Sequence, residues 1–300
     1  MENNTESPDQ WTIPSAYYSG MELQPKTKSN YTHTYLNDQK DTAVFSVLTY
    51  NIWLEEKYSK ERTLKIVNTI KRHMPDIVCL QEVTEYTLDI IKKKLEPYYQ
   101  NFHSFVEERK SYGMCFLCKR DTVKVLDRPY YYEYDGITSM SRDIIGCEVE
   151  FLKLPKMPFH VMTTHLESLP DNDHLRSEQF DVISEVIKPL KNLVLLGDFN
   201  IYSLQEDIER KISNSKLKDS WVEVGCPNRI KHTINYRKNS NVRGKVLSRS
   251  DRIYYSTNNP QFSVNKMSLL GLEQTSYNVS IPPSYHYGLL AEFRLDRTDI

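Results

Sequence analysis

In six places along this chain, an apolar run carries at its end, or just before its start, a side chain able to hold a metal ion or a phosphate. Asn51 closes VFSVLTYN, Glu82 closes DIVCLQE, His165 closes FHVMTTH, and Asp198 and Asn200 close NLVLLGDFN. Asp251 opens DRIYYS, and His286 stands just before GLLAEFRL. An isolated carboxylate in such a place usually caps a turn. Carboxylates, amides and imidazoles recurring at six run ends read instead as one polar constellation presented by a rigid scaffold. Oxygen ligands suit a hard cation, a carboxylate can deprotonate water, and imidazoles can donate to developing negative charge.

Those runs are rich in Val, Ile, Phe and Tyr and read as strands, as do GMCFLCK at Gly113–Lys119 and IIGCEVEF at Ile144–Phe151. Three helical periods lie between them: Leu64, Val67, Ile70 and Met74; Leu88, Ile91 and Leu95; Phe180, Ile183, Ile187 and Leu190. Pro75 closes the first, because proline cannot continue a helix. Strands outnumber helices and several follow one another directly. This predicts an α/β (α+β) domain with mixed sheets covered by helices, not an alternating βαβ barrel. Residues 1–42 hold only six of Ala, Val, Ile, Leu, Met and Phe, so they read as a flexible segment ahead of one domain at 43–300.

Hydrophobic residues make up 39% and charged residues 26%, which excludes global disorder. No run approaches the 18 or so apolar residues of a membrane span, and the first thirty residues lack a secretory pattern. Five cysteines without export signals predict reduced thiols and a nuclear or cytoplasmic location. Cys115 and Cys118 are i and i+3 of a strand and so face opposite ways, which disfavours a zinc or redox pair. The run PYYYEYDG reads as an edge strand rather than a base-stacking platform. A net charge of −1 confines any nucleic-acid contact to a local patch. Residues 229–252 offer one, with eight Lys or Arg against one acid.

The ordered set TYN (Thr49–Asn51), LQE (Leu80–Glu82), THLES (Thr164–Ser168), GDFN (Gly197–Asn200) and SDR (Ser250–Arg252) resembles the endonuclease/exonuclease/phosphatase family, also called DNase I-like. HLES at His165–Ser168, SLLGLEQ at Ser268–Gln274, KDSWVEVG at Lys218–Gly225 and NSNVRGK at Asn239–Lys245 are similar to its tyrosyl-DNA phosphodiesterase branch. The resemblance implies a four-layered α/β sandwich with two central mixed sheets. It implies a Mg²⁺-dependent phosphodiesterase, with Mn²⁺ as a substitute. The substrate would be DNA bearing a 5′-phosphotyrosyl end, a topoisomerase II adduct, cleaved by a monomer in DNA repair to leave a 5′-phosphate.

By the same resemblance Glu82 is the metal ligand and Asp198 orients or deprotonates water. Asn200 and His286 donate to the phosphate, Asp251 charges or orients His286, and Asn51 supports the metal carboxylate or the water. His165, Ser168 and Arg142 resemble substrate contacts and Ile234 stands where animal members place a tryptophan wall, while Arg243 and Lys245 are expected to face DNA as part of the basic stretch at 229–252. One departure concerns the family's Ser-Asp-His, which is Ser284-Tyr285-His286 here. Two other readings stand at this point. One is another phosphodiesterase of the same fold, an abasic endonuclease or RNA exonuclease. The other is a degenerate binding protein, for which Tyr285 is the sign.

Overall fold

The computed structural model describes residues 42–104, 111–154, 157–203, 206–259, 262–272 and 281–296. The N-terminal segment assigned at 1–42 lies outside the described residues, apart from Thr42. In chain order the strands are β1 (Thr42–Asn51), β2 (Ile77–Val83), β3 (Tyr99–His103), β4 (Gly113–Lys119), β5 (Val123–Val125) and β6 (Tyr130–Glu133). They continue with β7 (Asp143–Phe151), β8 (Pro158–His165), β9 (Leu193–Asp198), β10 (Lys218–Asp219), β11 (Ile234–Asn235) and β12 (Leu247–Ser248). β13 (Asp251–Ser256), β14 (Phe262–Leu270) and β15 (Gly288–Asp296) complete the set. The helices are α1 (Ser59–His73), α2 (Glu85–Leu95), α3 (Asp173–Ile187), α4 (Asp207–Ser213) and the single turn α5 (Ser220–Glu223).

Two mixed sheets form. One runs β14-β15-β1-β2-β4-β3, and the other β10-β13-β9-β8-β7-β5 with β6 paired to β7. Their facing sides share one core, including Phe45, Phe116, Phe159, Leu196 and Phe293. The outer face of the first sheet buries Leu48, Leu80 and Leu117 against Ile66, Ile70 and Ile91 of α1 and α2. The outer face of the second buries Met162 and Leu195 against Phe180 and Ile183 of α3 and Ile208 of α4. Strands with helices on one side and a sheet on the other need apolar residues on both faces, which is why β2 and β9 are buried along their whole length. The four-layered arrangement is the one the motifs implied.

Local signals set the boundaries. Met74 ends α1 with φ 45° just before Pro75, and Thr84 caps α2 in a reciprocal box with Thr87. Leu190 falls outside α3, which stops at Ile187, yet still packs against the outer core. Cys115 joins the outer cluster and Cys118 the inter-sheet core, so the two thiols do face opposite ways. β6 is the tyrosine-rich edge strand, with Tyr131 and Tyr132 exposed.

Candidate active site

Strand register assembles the polar tips. β8 and β9 run parallel with His165 opposite Asp198, and β13 lies antiparallel with Asp251 opposite Asp198 on its other side. In the first sheet Asn51 ends β1 opposite Gln81, next to Glu82 on β2. Gly197 permits the approach of β8 to β9: a Cβ there would lie 2.0 Å from the carbonyl oxygen of Thr164. Glu82 and Asn200 hold left-handed backbone, φ 58° and 49°, which costs energy in residues with a Cβ and recurs where a fold fixes functional groups.

Asn51 ties the two sheets together. Its Nδ2 donates to Glu82 Oε1 at 2.9 Å and to Asp198 Oδ2 at 3.0 Å, while its Oδ1 accepts from the Trp53 amide. The second oxygen of Glu82 accepts from the Leu54 amide at 2.9 Å. Asp198 is fully buried. Its Oδ1 accepts from the Asn200 amide at 3.0 Å, a local turn bond, which leaves Oδ2 to face the cleft. That oxygen lies 3.5 Å from His165 Nε2 and 3.8 Å from His286 Nε2. Burial, helped by the nearby Asp251 charge and opposed by His286, pushes the Asp198 carboxyl up to about 6.

The two histidines are in opposite charge states. His286 Nδ1 donates to Asp251 Oδ2 at 2.6 Å. Burial alone would lower its pKa, but the carboxylates of Asp251 and Asp198 outweigh that and hold it at about 9. It is therefore cationic at neutral pH, with Nε2–H unpartnered. His165 is held well below 6.5 by burial, by Arg142 and by the charge on His286. Because an arginine can only donate, the 2.7 Å contact from Arg142 makes His165 Nδ1 the acceptor and puts the proton on Nε2. Both rings thus point an Nε2–H toward the same space.

Arg142, buried, also donates to Ser168 Oγ at 2.9 Å, and Ser168 Oγ accepts from Asn200 Nδ2 at 3.2 Å. The Ser168 hydroxyl hydrogen is left over to donate. Asn200 is placed differently from the implied phosphate donor, since its two amide hydrogens meet the Leu166 carbonyl and Ser168 Oγ. Ile234 is buried at 6% exposure and its backbone bridges to that of His286, so its side chain is not presented as an open wall. Arg243 is 89% exposed and reaches Glu55 at 3.7 Å, and Lys245 is exposed. The basic stretch is smaller than its composition suggests. Arg249 pairs with Asp219 at 2.7 Å and stacks on Trp221, and buried Arg252 pairs with Glu209 at 2.5 Å.

Tyr285 sets its ring edge against His286, centroids 4.2 Å apart, and against Trp53 at 5.7 Å. Burial and the charges of Glu82, Asp198 and Asp251 push its hydroxyl well above 10, so it stays a neutral donor. Its neighbour Ser284 donates to the Asn51 carbonyl at 2.7 Å, so the constellation is intact around the tyrosine.

Three supporting residues escaped the sequence reading. Arg62 donates to the carbonyls of Ile52, Trp53, Glu55 and Pro283, which fixes the loop after β1 against the segment before β15. Glu167 accepts from Thr138, Ser139 and Gln179 and so shapes the loop that delivers Arg142. Arg176 pairs with Glu206 and donates to the carbonyls of Glu167, Leu169 and Pro170. A signal existed for Glu167, inside HLES. Arg62 and Arg176 carry none, because an arginine on an amphipathic helix reads as solvated.

The oxygens at the cleft suit a hard divalent cation. Glu82 is held at both oxygens by donors, Asp251 Oδ1 is buried without a partner, and Asp198 and Asp251 lie within 4.8 Å of His286 with a single cationic ring among them.

A profile described as the Endonuclease/Exonuclease/phosphatase family matches residues 48–271. The chain is 27% identical to tyrosyl-DNA phosphodiesterase 2 of Xenopus tropicalis over 268 residues, which cover 86% of this chain and 68% of that one. Among solved structures, TDP2 of D. rerio complexed with a single-strand DNA product superposes with a TM-score of 0.75 at 23% identity, over 84% of this chain and 99% of that one. Truncated TDP2 of Caenorhabditis elegans gives 0.71 at 25% identity, over 83% and 97%.

Proposed function

Because the chain belongs to the endonuclease/exonuclease/phosphatase family, as a hydrolase of phosphodiester bonds, we propose that its substrate is a 5′-phosphotyrosyl bond joining a topoisomerase II tyrosine to DNA, cleaved with Mg²⁺ by a monomer in the nucleus or cytoplasm. One observation carries this reading: Asp198 Oδ2 faces two imidazole Nε2–H groups, one charged and one neutral, at the same strand ends as Glu82. The names of the relatives support the choice of substrate.

Water attacks phosphorus while Asp198 Oδ2 takes its proton, which requires the carboxylate to be ionised, as it is above about pH 6. A divalent cation held by Glu82 would neutralise charge on the phosphoryl oxygens. His286, cationic through Asp251, donates Nε2–H to a non-bridging oxygen, and His165 Nε2–H and the Ser168 hydroxyl donate alongside it. The P–O bond to the tyrosine breaks and the phosphate stays on the DNA 5′ end. A phenol with pKa near 10 leaves as phenolate with little help from an acid, so the site needs no separate proton donor for it.

The test is cleavage of oligonucleotides carrying a 5′-phosphotyrosine, a 3′-phosphotyrosine or an abasic site, with Mg²⁺ or with EDTA. The expected result is cleavage of the 5′-phosphotyrosyl substrate, lost in EDTA and leaving a 5′-phosphate. Faster cleavage of either other substrate overturns the assignment.

A further inference from the structure

Two surface patches next to the site carry opposite charge. The loop joining β11 to β12 exposes Arg237, Lys238, Arg243 and Lys245. It is tied to the site by Asn239 and Asn241, which donate to the carbonyls of Ser284 and Pro282. A groove of about 960 Å³ opens between the N-terminal ends of α1 and α2. Its walls are Trp53, Tyr58, Tyr86 and Tyr112, with Glu55, Glu56, Glu61 and Glu85 against one lysine, Lys60.

The groove is continuous with the reaction centre at three points. Trp53 touches Tyr285, the Leu54 amide holds Glu82, and Tyr112 lies under the Arg142 guanidinium at 5.6 Å. Glu55 faces Arg243 across the boundary, while Glu56, Glu61 and Glu85 have no ion-pair partner among the described residues. Unpaired glutamates repel a phosphodiester backbone, so DNA belongs along the basic loop and not in the groove. Tyrosine rings interleaved with carboxylates suit a chain bearing cations, through charge and through cation–π contact.

We infer that this groove seats the peptide carrying the scissile tyrosine and selects peptides with Lys or Arg close to it. The inference rests on the tyrosyl-DNA reading above and names the other half of that substrate.

The test uses three 5′-phosphotyrosyl oligonucleotides: tyrosine alone, tyrosine in a Lys-flanked peptide, and tyrosine in a Glu-flanked peptide. At low salt the Lys-flanked form should exceed the Glu-flanked form in kcat/KM by about tenfold, a difference of ~1.4 kcal/mol. The triple variant Glu56→Gln, Glu61→Gln, Glu85→Gln should bring that ratio within about twofold and leave the tyrosine-only substrate unchanged. Glu61 and Glu85 also offset the dipoles of α1 and α2. If that is their whole role, the variant lowers Tm and keeps the ratio, and the inference falls. It falls equally if wild type shows no preference. Failure to cleave even the tyrosine-only substrate removes the tyrosyl-DNA reading first, and the groove assignment with it.

Discussion

Replacing Asp251 by Asn keeps an acceptor for His286 Nδ1 while removing its charge. The structure sets the direction of the effect. His286 is fully buried, yet the carboxylates beside it raise its pKa from 6.5 to about 9 and so favour the cation. Burial works against that cation, so the carboxylates contribute more than the net value. Asp251 is the partner in contact, at 2.6 Å, and Asp198 stands 3.8 Å from the opposite nitrogen. Asp251→Asn should therefore lower the His286 pKa, since burial then opposes the cation with less to offset it. The pH profile of kcat/KM on a 5′-phosphotyrosyl oligonucleotide should be a bell in wild type. It rises as Asp198 ionises near 6 and falls as His286 loses its proton near 9. The variant should keep the acid limb and move the alkaline limb to lower pH. Stability carries the same signature. A raised folded-state pKa stabilises the fold fully below 6.5, and that contribution is lost as pH rises through about 9. Wild-type Tm should thus fall between these limits, and the variant should flatten the fall. An alkaline limb still near 9 in the variant would refute the assignment of that proton to His286.

Asp198→Asn keeps the turn acceptor but removes the base, so kcat should drop by a factor on the order of 10²–10⁴ with DNA binding retained, measured by single-turnover kinetics and anisotropy. Arg243→Ala with Lys245→Ala should weaken DNA binding and flatten its salt dependence, because both side chains are exposed beside the cleft. Arg249→Ala should lower Tm instead, since that side chain is committed to Asp219 and Trp221, and an unchanged Tm would count against this. Tyr285→Asp places a fourth carboxylate beside Glu82, Asp198 and Asp251, so isothermal titration should show tighter divalent-metal binding, and unaltered affinity would refute the electrostatic account of this position.

The strands and helices were legible because burial on both faces leaves unbroken apolar runs: β4 and β13 coincide with GMCFLCK and DRIYYS residue for residue. β3 and β14 were not legible. YQNFH breaks the alternation with adjacent Gln100 and Asn101 on an edge strand, and FSVNKMSLL is interrupted by Asn265 and Lys266 where its pairing to β15 slips by one residue. For the site, residues that end strands could be found because their motifs contrast with the apolar run before them. Arg249 and Arg252 misled for a related reason. Composition counts a cation without showing whether an acid from another element, here Asp219 or Glu209, already faces it.

The same limit explains what Asn51 does. Alone in the sequence it is an amide at a strand end, one of many. In the fold its two hydrogens reach carboxylates on different sheets, Glu82 beside it and Asp198 across the sandwich, 147 residues away in the chain. The distance between those carboxylates is therefore set by how the two sheets pack through Phe45, Phe159 and Phe293, not by any local motif. A close-packed interior does not deform smoothly, so loss of volume in that core should shift the two sheets as units. The cation ligand and the water base would separate together, while each half of the site kept its own hydrogen bonds. The inter-sheet core is for this reason as much a part of the catalytic geometry as the polar residues at its rim.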